Sequence, residues 1–362
     1  MIECVDCQRA YPEKTNPHRC PECGGVYDFD RELKFQPEGL DLQLPGIWRY
    51  RESFLLPDQA PVISLGEGRT PLVWSEVGGT PVAFKLETLN PTGSFKDRGT
   101  ALLISFLIGR GVRDAVEDSS GNAGASFAAY AARAGLKAKI FVPEYTSGPK
   151  RLQILRSGAV IQEVPGPRSR AAEAVVQAVE AGAVYGSHAY LPHGLPGFAT
   201  IAYELVEQMG QAPGSVVLPV GHGSLLLGLD RGFRALESAG LISCRPALIG
   251  VQAGACAPLA KAFSRGRDRP VEVPEGETLA EGVRIADPYR GKTVLNALRE
   301  SQGRFVQVAE KEIRSGQRSL AELGFDVELT SALVWDALVR FGQNLPQPLG
   351  VILTGHGLKE GG

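Results

Sequence analysis

A lysine stands where the local backbone opposes its charge. In Leu86-Glu-Thr-Leu-Asn-Pro-Thr-Gly-Ser94-Phe-Lys96-Asp97-Arg98-Gly99 an apolar run passes through a turn into an apolar helical stretch. Ser94 and Asp97 have the spacing of a helix start, which predicts Lys96 in the first turn. There the positive end of the helix dipole lowers the pKa of the amine, and a neutral amine is what attacks an aldehyde to make an imine. Taken alone, the same residue also reads as a solvated lysine.

Three further segments repeat the pattern of strand, small-residue turn and helix or chain end. Asp118-Ser119-Ser120-Gly121-Asn122-Ala123-Gly124 leads into an Ala-rich helix. Free amides and two hydroxyls at such a helix start suit a carboxylate; a simple N-cap and turn reads equally well. In Leu218-Pro-Val-Gly221-His222-Gly223-Ser224-Leu225 the glycine amides, the Ser224 hydroxyl and the helix dipole make a cradle for a phosphate. A lone GxG fits any nucleotide or none, and the GxGxxG fingerprint is incomplete. The last strand ends Val351-Ile-Leu-Thr354-Gly355-His356-Gly357-Leu358-Lys359, whose bland reading is a turn after a core strand.

At the N-terminus, Cys4-Val-Asp-Cys7 and Cys20-Pro-Glu-Cys23 form two CxxC knuckles, followed by Gly24-Gly25. Each knuckle brings two thiolates to one tetrahedral ion, so the segment resembles a zinc ribbon with Cys4, Cys7, Cys20 and Cys23 as ligands of a structural zinc. Four reduced, unmetallated thiols are the alternative, and His18 is a spare ligand nearby. Cys244 and Cys256 read as core residues, since no nucleophile's partners surround them.

The elements that must carry these motifs alternate in type. Short apolar runs at 82–86, 138–142, 215–218, 247–251 and 349–353 interleave with helical stretches such as 123–134 and 171–181, each ended by glycine. Strands alternating with helices predict open parallel sheets covered on both faces, an α/β fold. A length of 362 residues exceeds what one core usually holds, so two main domains plus a small appendage are expected. Residues 1–30 read as the ribbon, 31–89 with 191–362 as the larger domain and 90–190 as the smaller. Lys and Arg number 38 against 40 Asp and Glu, which gives no pull towards nucleic acid or an anionic membrane and favours small-molecule partners. The N-terminus has no secretion signal and no segment is long and apolar enough to span a bilayer, so a cytoplasmic protein is expected.

The string NPTGSFKDRG resembles the Schiff-base motif of pyridoxal-phosphate (PLP) enzymes of the tryptophan synthase β family, fold type II. The other motifs follow in that family's order, and Gly66-Glu-Gly-Arg-Thr70-Pro-Leu72 resembles its GEGxTPL segment. The resemblance implies that Lys96 holds PLP and acts as base at the α-carbon. It implies that Asn122 meets the phenolic oxygen, and that Ser119, Ser120, Gly121 and Asn122 hold the substrate carboxylate. Gly221, His222, Gly223, Ser224 and Leu225 then hold the cofactor phosphate, and Thr354 meets the pyridine nitrogen. A hydroxyl there makes a weaker electron sink than an aspartate, which favours elimination and replacement over transamination. The TGHGLK ending is similar to that of threonine synthases, some of which also carry a cysteine ribbon. The family implies conversion of O-phospho-L-homoserine and water to threonine and phosphate, a small amino-acid substrate, and a homodimer.

Departures from the threonine synthase pattern point to a second reading. The family's NPYRxEGxKT segment corresponds to Leu191–Thr200, where its Arg falls at Gly194 and its Lys at Ala199. His188, His193, Arg168 and Arg170 are the nearby groups that could meet a substrate phosphate instead. Ala123 stands where the family often has Thr, and the 221–225 cradle resembles the GGGGL loop of serine/threonine dehydratases. A dehydratase or β-replacement enzyme of the same fold is therefore the alternative. A non-catalytic zinc-ribbon adaptor is a third, and the mixed ribbon charges give it no basic stripe.

Overall fold

The computed structural model describes residues 2–146, 148–166 and 168–360, with only the backbone of Arg168. Two short strands, β1 (Ile2–Cys4) and β2 (Tyr27–Phe29), pair antiparallel across the cysteine knuckles. The proline- and glycine-rich stretch that follows holds short 3-10 turns, and buries Trp48 and Tyr50 against the body. β3 (Leu72–Val77) and β4 (Thr80–Leu86) then form a hairpin.

The next segment builds one sheet. Helix α1 (Lys96–Gly109) precedes β5 (Asp114–Glu117), α2 (Asn122–Ala134), β6 (Lys137–Pro143), α3 (Pro149–Arg156), β7 (Val160–Val164), α4 (Arg168–Glu180) and β8 (Val184–Tyr185). Its strands run parallel in the order β7-β6-β5-β8. Alanine, the best helix former, fills α2, and Gly135 at φ +67° closes it with bonds to the carbonyls of Ala131 and Ala132.

The chain then returns to the first sheet through α5 (Leu195–Met209), β9 (Ser215–Pro219), α6 (Ser224–Ser238), β10 (Ala247–Ala253), α7 (Pro258–Ser264), α8 (Gly291–Glu300), β11 (Arg304–Val308), α9 (Glu310–Glu322), α10 (Leu329–Phe341) and β12 (Leu349–Leu353). Among the described residues this sheet has the order β11-β10-β9-β12-β4-β3. Every residue of β9, β10 and β12 is buried, as expected of parallel strands covered on both faces. The sequence reading missed β3, an antiparallel edge strand whose side chains are half exposed.

Helix α1 is the element between the sheets. It is buried from Asp97 to Leu107 and packs on α2 on one side and α5 on the other, so an all-round apolar helix is what its place demands. Gly197 of α5 makes that approach possible: a Cβ there would stand 2.1 Å from the Arg98 carbonyl. No helix among the described residues is long and apolar enough to cross a membrane.

Candidate active site between the two sheets

The loops after β4, β9 and β12 of one sheet and after β5 and β8 of the other converge on a single cleft, at the strands' carboxyl ends. It encloses about 950 Å3 of space including its open mouth. Lys96, Ser119, Ser120, Gly121, Asn122, Gly221, His222, Gly223, Ser224, Leu225 and Thr354 all line it, so the sequence motifs meet in space.

Lys96 is the first residue of α1, and its ammonium nitrogen lies 4.8 Å from the centre of the Phe95 ring. The expected cap by Ser94 is not formed. Ser94 Oγ is buried without a hydrogen-bond partner among the described residues, and Phe95 occupies the cap position. Asp97 organises the turn instead: its carboxylate accepts the Thr92 amide at 2.7 Å and the hydroxyls of Thr92 and Ser126, each at 2.6 Å. Burial pushes the Asp97 carboxyl up, and these hydrogen bonds oppose that shift.

Next to it, Arg98 anchors the helix to the body. It donates to both oxygens of Glu87, to both of Glu204 and to Thr200 Oγ1, while Lys85 donates to Glu204 at 2.6 Å. Two cations and two carboxylates are thus almost fully buried together. Burial pushes the Glu204 carboxyl up, and Arg98 and Lys85 outweigh it, holding the group well below the usual carboxylate range. The network fixes the residue two places after Lys96, which is what holds the lysine's backbone still.

The opposite wall is the start of α6. Gly223 sits at its cap with φ +89°, and a Cβ there would lie 2.3 Å from Val294. Only glycine fits, and the helix start keeps its amides turned to the cleft. Thr354, at the end of β12, shares a 2.8 Å hydroxyl contact with Ser331 of α10. Ser331 also accepts the amides of Thr354 and Gly355, so this hydroxyl pair is fixed in place.

Glu328, Lys150 and His188 are among the cleft residues that lie outside the sequence motifs. Glu328, at the cap of α10, accepts both bonds of the Asn122 amide group at 2.8 and 2.9 Å and lies 3.1 Å from Lys150 of α3. His188, after β8, meets Glu117 at the end of β5 through Nδ1 at 2.6 Å. Glu328 and Lys150 are single polar residues brought in by long-range folding, so nothing local marks them, whereas His188 is a candidate from the sequence without its Glu117 partner.

The groups considered as replacements for the family's arginine separate clearly. Residues 191–200 do not line the cleft; Gly194 and Ala199 sit in the seams of α5 against α1 and α6. His193 is fully buried and stacked on Phe106 with ring centres 3.4 Å apart. Arg170 is exposed and pairs with Glu173, and the Arg168 side chain lies outside the described residues. His188 alone of these lines the cleft, joined by Lys150.

The site fits the group that the sequence motifs imply. Asn122 Oδ1 is buried without a partner, a primary amine and fixed hydroxyls face the same space, and a helix start walled by glycine suits a phosphate. At the ribbon, the four cysteine sulfurs lie within 4.8 Å of one another, with Cys4 to Cys23 at 3.4 Å and Cys7 to Cys20 at 3.6 Å. A tetrahedral zinc with bonds of about 2.3 Å sets its sulfurs about 3.8 Å apart. The ribbon also grips the segment that follows β8. Arg290 donates to the carbonyls of Tyr27, Ala189 and Tyr190, and Arg19 donates to the Tyr190 hydroxyl at 2.6 Å. Tyr190 stacks on Tyr289, which lies against His222.

Comparison with known proteins gives one consistent picture. The family model described as pyridoxal-phosphate dependent enzyme matches residues 63–355. The threonine synthase of Methanocaldococcus jannaschii is 32% identical over 99% of this chain and 93% of its own. That of Synechocystis is 36% identical over 86% of this chain and 82% of its own. Among solved structures, the T.th. threonine deaminase is 29% identical with a TM-score of 0.69, covering 80% of this chain and 92% of its own. Maize serine racemase, at 22% identity and a TM-score of 0.71 over 80% of this chain and 88% of its own, shares the fold.

Proposed function

Because the chain belongs to the pyridoxal-phosphate dependent enzyme family, as a threonine synthase-like lyase, we propose that it converts O-phospho-L-homoserine and water to L-threonine and phosphate. The observation that carries this reading is Lys96 at the start of α1, sharing one cleft with the Asn122 loop and the α6 cradle. Bound PLP supplies an electron sink that acidifies the protons at the substrate's α-carbon and then its β-carbon.

Lys96 would hold the cofactor and would move protons at the substrate's α- and β-carbons. The loop of Ser119, Ser120, Gly121 and Asn122 would bind the substrate carboxylate, and Asn122 would also meet the phenolic oxygen. Gly221 to Leu225 hold the cofactor phosphate at the start of α6, and Thr354 meets the pyridine nitrogen. A structural zinc on Cys4, Cys7, Cys20 and Cys23, the family's homodimer and a cytoplasmic location complete the proposal. The sulfur geometry supports the first, and the resemblance supports the second.

The test is incubation of the PLP-loaded protein with O-phospho-L-homoserine while phosphate and threonine are followed together. Equal amounts of both products are expected, and Lys96→Ala should lose turnover and the cofactor's visible band together. An intact band without phosphate release would overturn the substrate assignment. It would favour a serine/threonine dehydratase or β-replacement enzyme. One observation speaks for that reading: no arginine lines the cleft among the described residues.

A further inference from the structure

The cleft contains an acid–base pair that none of the roles above uses. Glu117 is fully buried; its Oε1 meets His188 Nδ1 at 2.6 Å and its Oε2 accepts the Ser119 amide. A buried carboxylate at Nδ1 fixes the ring's orientation and its tautomer, so that the chemistry left to the imidazole is that of Nε2. His188 lines the cleft from the β8 side, with its ring 6.3 Å from that of His222. It therefore stands between the loop of residues 119–122 and the α6 cradle.

We infer that His188 is the proton donor to the oxygen that leaves the substrate, and that Glu117 is its positioning residue. The inference rests on the elimination proposed above and assigns its second proton. Breaking the Cγ–O bond leaves an electron pair on the phosphate oxygen. The Nε2 proton moves to that oxygen and hydrogen phosphate departs, while the electrons of the new Cβ–Cγ double bond come from the C–H bond whose proton Lys96 removes. When water adds, hydroxide goes to Cβ, the proton on Lys96 goes to Cγ, and the remaining water proton returns to His188.

The other polar residues of the cleft are poorer donors. Lys96 is occupied at carbon, Lys150 pairs with Glu328, His222 belongs to the cradle, and serine and threonine hydroxyls are too weakly acidic. A base at carbon and an acid at oxygen need opposite protonation states. Lys96 at a helix start and His188 on a buried carboxylate are two separate groups to which those roles fall.

His188→Ala and His188→Gln should lower kcat for O-phospho-L-homoserine by about 100-fold or more, with KM changed by less than about threefold. Added imidazole should restore part of the His188→Ala rate. With L-2-amino-4-chlorobutanoate, whose chloride leaves without a proton, the loss should shrink to about fivefold or less. Glu117→Gln should fall between the wild type and His188→Ala. Full activity of both His188 variants on the phosphate ester, or a loss without imidazole rescue and equal for both leaving groups, would overturn the inference. If the wild type releases no phosphate, the substrate reading fails separately. The same variants are then measured for loss of hydroxide from serine and threonine, where the donor should matter at least as much.

Discussion

Lys150 and Glu328 face each other across the cleft at 3.1 Å, the first on α3 beside the smaller sheet and the second at the cap of α10 on the larger. The same carboxylate takes both bonds of the Asn122 amide group. An ion pair thus joins the two walls of the cleft beside Asn122.

Removing the cation should therefore act on binding more than on chemistry. Lys150 is partly exposed, so solvent screens the pair and the effect stays below that of a fully buried one. Lys150→Met is expected to lower kcat/KM about tenfold, chiefly through KM, with cofactor affinity changed by less than about threefold. Steady-state kinetics beside a PLP titration check this; an equal fall in kcat would place Lys150 in the chemical step instead.

The Arg98 network makes a prediction about acid. The folded-state pKa of Glu204 is depressed, so its stabilisation is complete above the unfolded value near 4.5 and is lost as pH falls below that towards the folded value. Glu204→Gln leaves Arg98 and Lys85 with one carboxylate between them and should cost about 3–5 kcal/mol at pH 7. Denaturant unfolding at pH 7 and pH 4 reads both effects. The variant should lose less stability than the wild type between those values.

The cysteine ribbon should report on the active site without taking part in it. Arg290 donates to the carbonyls of Tyr27 in the ribbon and of Tyr190, Arg19 of the ribbon donates to the Tyr190 hydroxyl, and Tyr190 stacks on Tyr289, which lies against His222. Metal analysis should find about one zinc per chain. Stripping it should lower the melting temperature by several degrees and weaken PLP binding a few fold, since the segment after β8 loses its clasp. A stripped protein with unchanged cofactor affinity would sever the ribbon from the site.

Much of this site was legible because its chemistry sits in short contiguous strings at strand ends. Lys96, Asn122, Gly223 and Thr354 each belong to such a string, and the alternation of apolar strands and helices put them on one edge. Glu328, Lys150, Ser331 and the pairing of His188 with Glu117 have no such signal, because each depends on which elements the fold brings together. Ser94 misled for a physical reason: the turn closes on Asp97, which local spacing treats as the partner of a serine cap. In Leu191–Thr200 the small residues at the positions read as replacing the family's Arg and Lys serve helix packing and do not line the cleft.

His193 tests that last distinction. Its type and position suit a substrate anion, yet it is stacked on Phe106, and both its ring nitrogens are buried without a hydrogen-bond partner among the described residues. Burial, with Arg110 and Arg290 nearby, pushes it down to about 3. A histidine kept neutral in the folded state contributes its stability above the unfolded value of 6.5 and loses it as pH falls from there through about 3, because the unfolded chain gains a proton first. His193→Leu removes two unsatisfied polar atoms, so it should raise stability at pH 7 by about 1 kcal/mol. The difference should widen as pH falls from 6.5 towards 3. Turnover should stay within about twofold of the wild type, and a large rise in KM would return His193 to the substrate site.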